Sequence, residues 1–95
     1  MRKFLASVNI FAESSQIDNV VTALSKLDNI EEVYEVAGEY DIVTLVATST
    51  LEEFRDILQK KIMKIKGVKS TITTIILQQC KGHRCQGKSA LTSTN

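Results

Sequence analysis

The chain contains no proline and no tryptophan, only four glycines in 95 residues, and aromatic residues at just 5%. That scarcity excludes a collagen-like or linker-rich chain and points to long elements joined by few turns. The single histidine, His83, and both cysteines, Cys80 and Cys85, lie at or beyond position 80. No disulfide can cross-link the body, and no histidine is available there as a general base or nucleophile activator. No apolar run approaches ~18 residues, the length a membrane-crossing helix needs. Met1-Arg2-Lys3 before Phe4-Leu5-Ala6 superficially resembles a secretory leader, but Ser7 and Asn9 interrupt the stretch, which reads as a strand. A cytoplasmic protein is expected.

An excess of charge is also missing. The formal net charge is +1, too small to draw the chain toward nucleic acid or acidic lipid. Residues 1–79 carry nine Lys/Arg against eleven Asp/Glu, a balance of −2, and residues 80–95 contribute +3 through Lys81, Arg84 and Lys88. A mildly acidic body argues against a phosphate-binding surface. With 43% apolar and 24% charged residues the composition is globular, and the length suits one domain that buries about 60–65% of its unfolded surface. We assign residues 1–79 to that domain and residues 80–95 to a flexible basic tail.

Within the domain, Phe4, Ala6, Val8 and Ile10 alternate with Ser7 and Asn9, the period of a strand. Ser14 and Ser15 offer an N-cap, and Ile17, Val20, Val21, Leu24 and Leu27 follow at helical spacing. Residues 30–37 make a second strand. Gly38-Glu39-Tyr40-Asp41 is a turn in which glycine would supply the positive φ of a tight hairpin, and residues 42–47 make a third strand. Thr50-Leu51-Glu52-Glu53 has the capping-box pattern. Leu51, Phe54, Leu58, Ile62 and Ile65 continue as one helix, Gly67 stands as a left-handed terminator, and residues 68–77 form a fourth strand. Lys26-Leu27-Asp28-Asn29-Ile30 and Lys64-Ile65-Lys66-Gly67-Val68 occupy equivalent helix-to-strand junctions, a weak internal repeat. The order β-α-β-β-α-β predicts an α+β, ferredoxin-like split sheet with antiparallel strand order 4-1-3-2.

Both helices of that fold cover one face of the sheet. Strand three sets Ile42, Thr44 and Val46 against Val43, Leu45 and Ala47, strand four sets Ile72, Thr74 and Ile76 against Ile75 and Leu77, and Leu5 and Phe11 oppose the main apolar set of strand one. Strands apolar on both sides leave the other face with more apolar surface than monomers usually leave in water. A second copy of the same sheet is the simplest cover, giving an isologous dimer.

Chemistry is sparse. Glu52, Glu53 and Asp56 read as solvated helix charge, and residues 1–79 contain no Gly-rich phosphate loop and no metal-spaced cluster. Neither an enzyme nor a cofactor is expected. RNA-recognition domains share the element order, but their inner strands stack bases on aromatics, and residues 41–48 hold neither an aromatic nor a cation. A copper carrier would want paired cysteines where Phe11-Ala12-Glu13-Ser14-Ser15 stands. Cys80, His83 and Cys85 supply three potential metal ligands, short of the four of a closed zinc site.

Two segments remain. Val36-Ala37-Gly38-Glu39-Tyr40-Asp41-Ile42-Val43 and Ile65-Lys66-Gly67-Val68-Lys69-Ser70-Thr71-Ile72-Thr73, with the element order, resemble the effector-binding (RAM) domain of the Lrp/AsnC transcription regulators over roughly residues 1–79. The resemblance implies a βαββαβ sandwich that dimerises through its sheets. It further implies dimers assembled into rings, typically of eight chains, and an amino acid bound between neighbouring dimers. It places Gly38, Tyr40, Asp41, Thr71 and Thr73 at that cleft. Asp41 would accept from the ammonium, the Gly38 N–H would meet the carboxylate, and the threonine hydroxyls would donate or accept as required. Ala12 and Glu13 fall in a segment that varies near the ligand side chain. Full-length regulators of the family carry an N-terminal helix-turn-helix domain. This chain starts at its first strand and so resembles the stand-alone form, which acts on transcription indirectly, without direct DNA binding, through DNA-binding family relatives. Plain structural readings stand beside these: Gly38 as a turn former, Asp41 as a cap of its own hairpin, the threonines as ordinary strand residues. So do two other functions, a ligand-free assembly module and a small cofactor-independent dimeric enzyme.

Overall fold

A computed structural model of the chain describes residues 4–81. The elements run β1 (Phe4–Ala12), a 3-10 turn (Ser14–Gln16), α1 (Ile17–Ser25), β2 (Ile30–Glu35), β3 (Ile42–Thr48), α2 (Leu51–Ile57), a π-helical turn (Leu58–Ile62) and β4 (Val68–Ile76). The strands form one antiparallel sheet in the order β2-β3-β1-β4, the expected order read from the opposite edge. This is the ferredoxin-like fold.

Register explains which residues make the core. Val8 sits opposite Thr44 on β3 and Thr73 on β4, and Ile10 opposite Ile42 and Thr71. Cross-strand partners share a face, so the even-numbered positions of β1 and β3 point together. They are Ala6, Val8, Ile10, Ala12, Ile42 and Val46, all buried with Val20 and Leu24 of α1 and with Phe54, Ile57 and Ile62. Phe4 closes one end of this layer against Phe54, ring centroids 5.4 Å apart. Thr44 lies in the same layer, and its hydroxyl donates to the Val8 carbonyl at 3.1 Å, which meets the need of a buried polar group.

The second helix is not one helix. Ile57 and Ile62 are both buried yet five residues apart, a spacing that 3.6 residues per turn does not hold on one line. The turn Leu58–Ile62 widens instead, and Met63 N–H donates to the Leu58 carbonyl at 2.9 Å, an i→i+5 bond. The start of α2 follows its sequence signal. Thr50 Oγ1 accepts from Glu53 N–H at 3.1 Å, and the Glu53 carboxylate accepts from Ser49 N–H at 2.8 Å, the reciprocal bond falling one residue earlier than in the usual box. Thr50→Ala is expected to cost about 1 kcal/mol, seen as a fall of about 4–8 °C in the thermal midpoint by circular dichroism.

Two local expectations are corrected. Ser14 and Ser15 do not cap α1: they lie in the 3-10 turn, which has Glu13 at its N-cap and no side-chain cap bond. Main-chain bonds hold that entry, Gln16 N–H to the Glu13 carbonyl and Glu13 N–H to the Gly67 carbonyl, both 2.8 Å. Nor does Gly38 adopt positive φ. Among the described residues only Gly67 does, at 108°. β2 ends at Glu35 rather than at residue 37, so residues 36–41 spread the reversal over a loop closed by Val36 N–H to the Asp41 carbonyl at 3.0 Å. No tight turn is needed there.

Candidate functional site

The loop 36–41 leaves β2 and enters β3 at the end of the sheet where β1 finishes. Two bonds lock it to β1. Asp41 N–H donates to the Ile10 carbonyl at 3.0 Å, and Asp41 Oδ2 accepts from Ala12 N–H at 2.8 Å. The pairing of β1 with β4 shifts between Phe11 and Ala12. The carboxylate therefore satisfies a backbone donor where the ladder is irregular. Asp41 caps the neighbouring strand rather than its own hairpin. Its local role is structural, and one oxygen performs it.

Tyr40 is half-buried and lies against Phe11, with ring centroids 5.2 Å apart. Phe11 is an odd position of β1, so this pair belongs to the sheet face away from the helices. Gly38 is exposed, and a Cβ built on it would meet nothing within 4 Å. The side on which a Cβ would stand is open.

Thr71 and Thr73 are both half-buried and share a face, as their spacing requires. Thr71 lies directly across β1 from Ile42, since both pair with Ile10. That puts Thr71 about two strand spacings, ~10 Å, from the start of β3. The hairpin residues and Thr71 thus lie toward one end of the sheet and Thr73 nearer its middle, and the five are not on one side of it. Thr71 and Thr73 point with Ile10 and Val8 toward the helix layer, whereas Tyr40 packs with Phe11 on the opposite face. One protomer does not bring all five together. Two participants escape sequence reasoning, the Ala12 N–H that anchors Asp41 and the Phe11 ring that seats Tyr40. Alternation alone assigns Phe11 its face, but no sequence signal names its partner.

The face away from the helices holds Leu5, Phe11, Val43, Leu45, Ile72 and Ile76, none of which joins the core cluster. Tyr34 and Ile72 are 52% and 46% exposed there. A polar seam, Ser7 Oγ donating to Asn9 Oδ1 at 3.4 Å, runs down its middle strand. Away from the hairpin end, a shallow depression of about 310 Å³ on α2 is lined by Glu52, Glu53, Arg55, Asp56 and Gln59. The ion pair Lys60–Asp56, 3.6 Å across one helical turn and well exposed, marks that helix surface as solvated.

Among the described residues no group of three or more His, Cys, Asp or Glu side chains could hold a metal ion. Of the sequence's three possible ligands, Cys80 is exposed, and His83 and Cys85 lie outside the described residues, as does most of segment 80–95. No helix among the described residues is long and apolar enough to cross a membrane.

Comparison with known proteins identifies the family. Residues 5–85 match the family described as the Lrp/AsnC ligand binding domain. The chain is similar to the HTH-type transcriptional regulator FL11 of Pyrococcus horikoshii, 35% identical over 77 residues, which are 81% of this chain and 50% of the regulator. It is also similar to the homocitrate synthase of Sulfurisphaera tokodaii, 33% identical over 75 residues, 78% of this chain but only 16% of the enzyme. Among solved structures it resembles the feast or famine regulatory protein of M. tuberculosis complexed with L-methionine. The TM-score is 0.75 and the identity 32%, covering 87% of this chain and 56% of that one. The chain therefore spans about half the length of the regulators it matches.

Proposed function

The chain belongs to the Lrp/AsnC ligand-binding domain family, and from that premise we propose that it is an amino-acid effector-binding module. It pairs with a second copy through the open face of its sheet, assembles further into a ring, and tunes transcription indirectly through DNA-binding relatives. The observation that carries the reading is the arrangement of the hairpin. Asp41 is held in place by Ala12 N–H through one oxygen, in the same loop as a glycine with open space where a Cβ would stand. A positioned carboxylate suits an α-ammonium, and a main-chain N–H of a residue without a side chain suits an α-carboxylate. Thr71 and Thr73, on the other side of the sheet, would meet the ligand from a neighbouring copy. That accounts for a site divided between faces within one protomer. The M. tuberculosis relative was solved with L-methionine, an α-amino acid of this chemistry.

The test is calorimetric titration of the assembled protein against the twenty amino acids, L-methionine first. Asp41→Asn separates ligand binding from the structural role, because the amide oxygen can still accept from Ala12 N–H while the charge is gone. It should leave the thermal midpoint nearly unchanged and weaken the bound amino acid at least tenfold, about 1.5–3 kcal/mol for a hydrogen bond to a charged group. Binding by none of the twenty, or unchanged affinity in Asp41→Asn, defeats the site.

A further inference from the structure

Charge is sorted along this chain in a way its near-zero total conceals. Between Leu27 and Ile42 there are six Asp/Glu and no Lys/Arg; between Arg55 and Lys69 there are six Lys/Arg and one acid, Asp56. The fold sends these segments to opposite margins. The acidic segment includes β2, one edge strand, and the loop after it. The basic segment runs through the π-helical turn into β4, the other edge strand. Glu35 and Glu39 on the first margin are exposed, as are Lys61, Lys64, Lys66 and Lys69 on the second. None of these six has an ion-pair partner among the described residues.

Each edge can meet a copy of itself or of the other. Acid on acid and lysine on lysine both place like charges together, which suppresses those pairings. Only the head-to-tail meeting is attractive, and a contact of that heterologous kind propagates from copy to copy until it closes. We propose that the acidic β2 margin of one copy docks on the lysine-bearing segment 61–69 of the next, and that this contact joins dimers into the larger assembly. The inference rests on the reading that the open sheet face is already covered by a first partner. The occupant is another copy of this chain because the surface complementary to each margin is the chain's own other margin. The contact is made of exposed charges, so it weakens as salt shortens the screening length from ~14 Å near 50 mM to ~4 Å near 500 mM.

Sedimentation velocity of the full chain tests this at those two salt concentrations. The wild type is expected to be larger than a dimer at low salt and to fall back to a dimer at high salt. Lys61→Glu, Lys64→Glu, Lys66→Glu and Lys69→Glu combined should remain dimeric at low salt, as should Glu35→Lys with Glu39→Lys. Each should associate at least tenfold more weakly than wild type. An equimolar mixture of the two reversed proteins should regain the large species, which a merely misfolded variant could not do. A dimer or a larger assembly of the same size at both salts overturns the proposal and leaves the sheet-face reading standing; a monomer at both overturns the two together. Failure of the mixture to assemble also overturns it. So does a shift of random-sequence duplex DNA that needs the four lysines while sedimentation ignores salt, since the lysines would then serve a polyanion.

Discussion

Leu45→Arg is expected to abolish the proposed sheet-to-sheet dimer and leave a folded monomer. Leu45 lies on β3, an inner strand, opposite Ser7 on β1 and Glu32 on β2, and is half-buried on the face away from the helices. In an isolated protomer a guanidinium there can extend into water or lie along Glu32, so the fold has little to lose. In a sheet-to-sheet dimer the same side chain is introduced twice near the centre of an apolar interface. The penalty for desolvating an ion is several kcal/mol even after relaxation. We expect association weaker by about three orders of magnitude or more, roughly 4 kcal/mol. Sedimentation at micromolar concentration gives the mass, and circular dichroism checks the fold. A variant that stays dimeric removes the open face from the assembly.

The second large effect is on stability. Gly67→Ala should lower it by about 2–4 kcal/mol, the sum of a strained backbone and an overpacked contact. With φ at 108° the residue occupies a region that side chains rarely adopt. An added Cβ would fall 2.4 Å from Gln16 Cβ and 3.1 Å from Val20 Cγ2, and the first is a main-chain-proximal atom that cannot swing aside. The Gly67 carbonyl also accepts from Glu13 N–H, and the adjacent Lys66 carbonyl accepts from Asn19 Nδ2 at 3.0 Å. A retreat of this turn would therefore break the bonds that seat the first helix. The thermal midpoint should drop by more than about 10 °C. Gly38→Ala is the matched control. It has negative φ and open space around it, so it should be neutral or slightly stabilising. Equal effects from the two substitutions would contradict this account.

These glycines show how far sequence carries. Both were legible as breaks between elements, because few other residues end a strand or helix in this proline-free chain. The positive φ of Gly67 was legible as well, from its place after the helical stripe, whereas the positive φ expected of Gly38 is absent, since φ depends on loop length and on what packs nearby. The strand order and core layer were readable for a simple reason: alternation in β1 and β3 and the helical stripes admit one consistent face. Irregular features escaped. The widened turn at Leu58–Ile62 answers the demand that Ile57 and Ile62 both face inward, which appears only once the sheet beneath them is in place. The hairpin and Thr71 and Thr73 stood out through family resemblance, not through their chemistry. That Tyr40 and the threonines lie on opposite sides of the sheet follows from register, and pairing partners are a tertiary fact.

β1 is the first strand among the described residues and an inner strand of the sheet, flanked by β3 and β4. Leu5 pairs with Ile76, close to opposite ends of the described residues. As the polypeptide leaves the ribosome, α1 and the β2–β3 pair can form from nearby residues, but β1 waits with one edge bare until residues 68–76 emerge. Such long-range closure makes folding slow relative to local helix formation. Chains interrupted before β4 would expose a paired but incomplete strand bearing Phe4, Val8 and Ile10, the kind of edge on which unfinished chains stick together. The last strand thus governs when the first becomes safe.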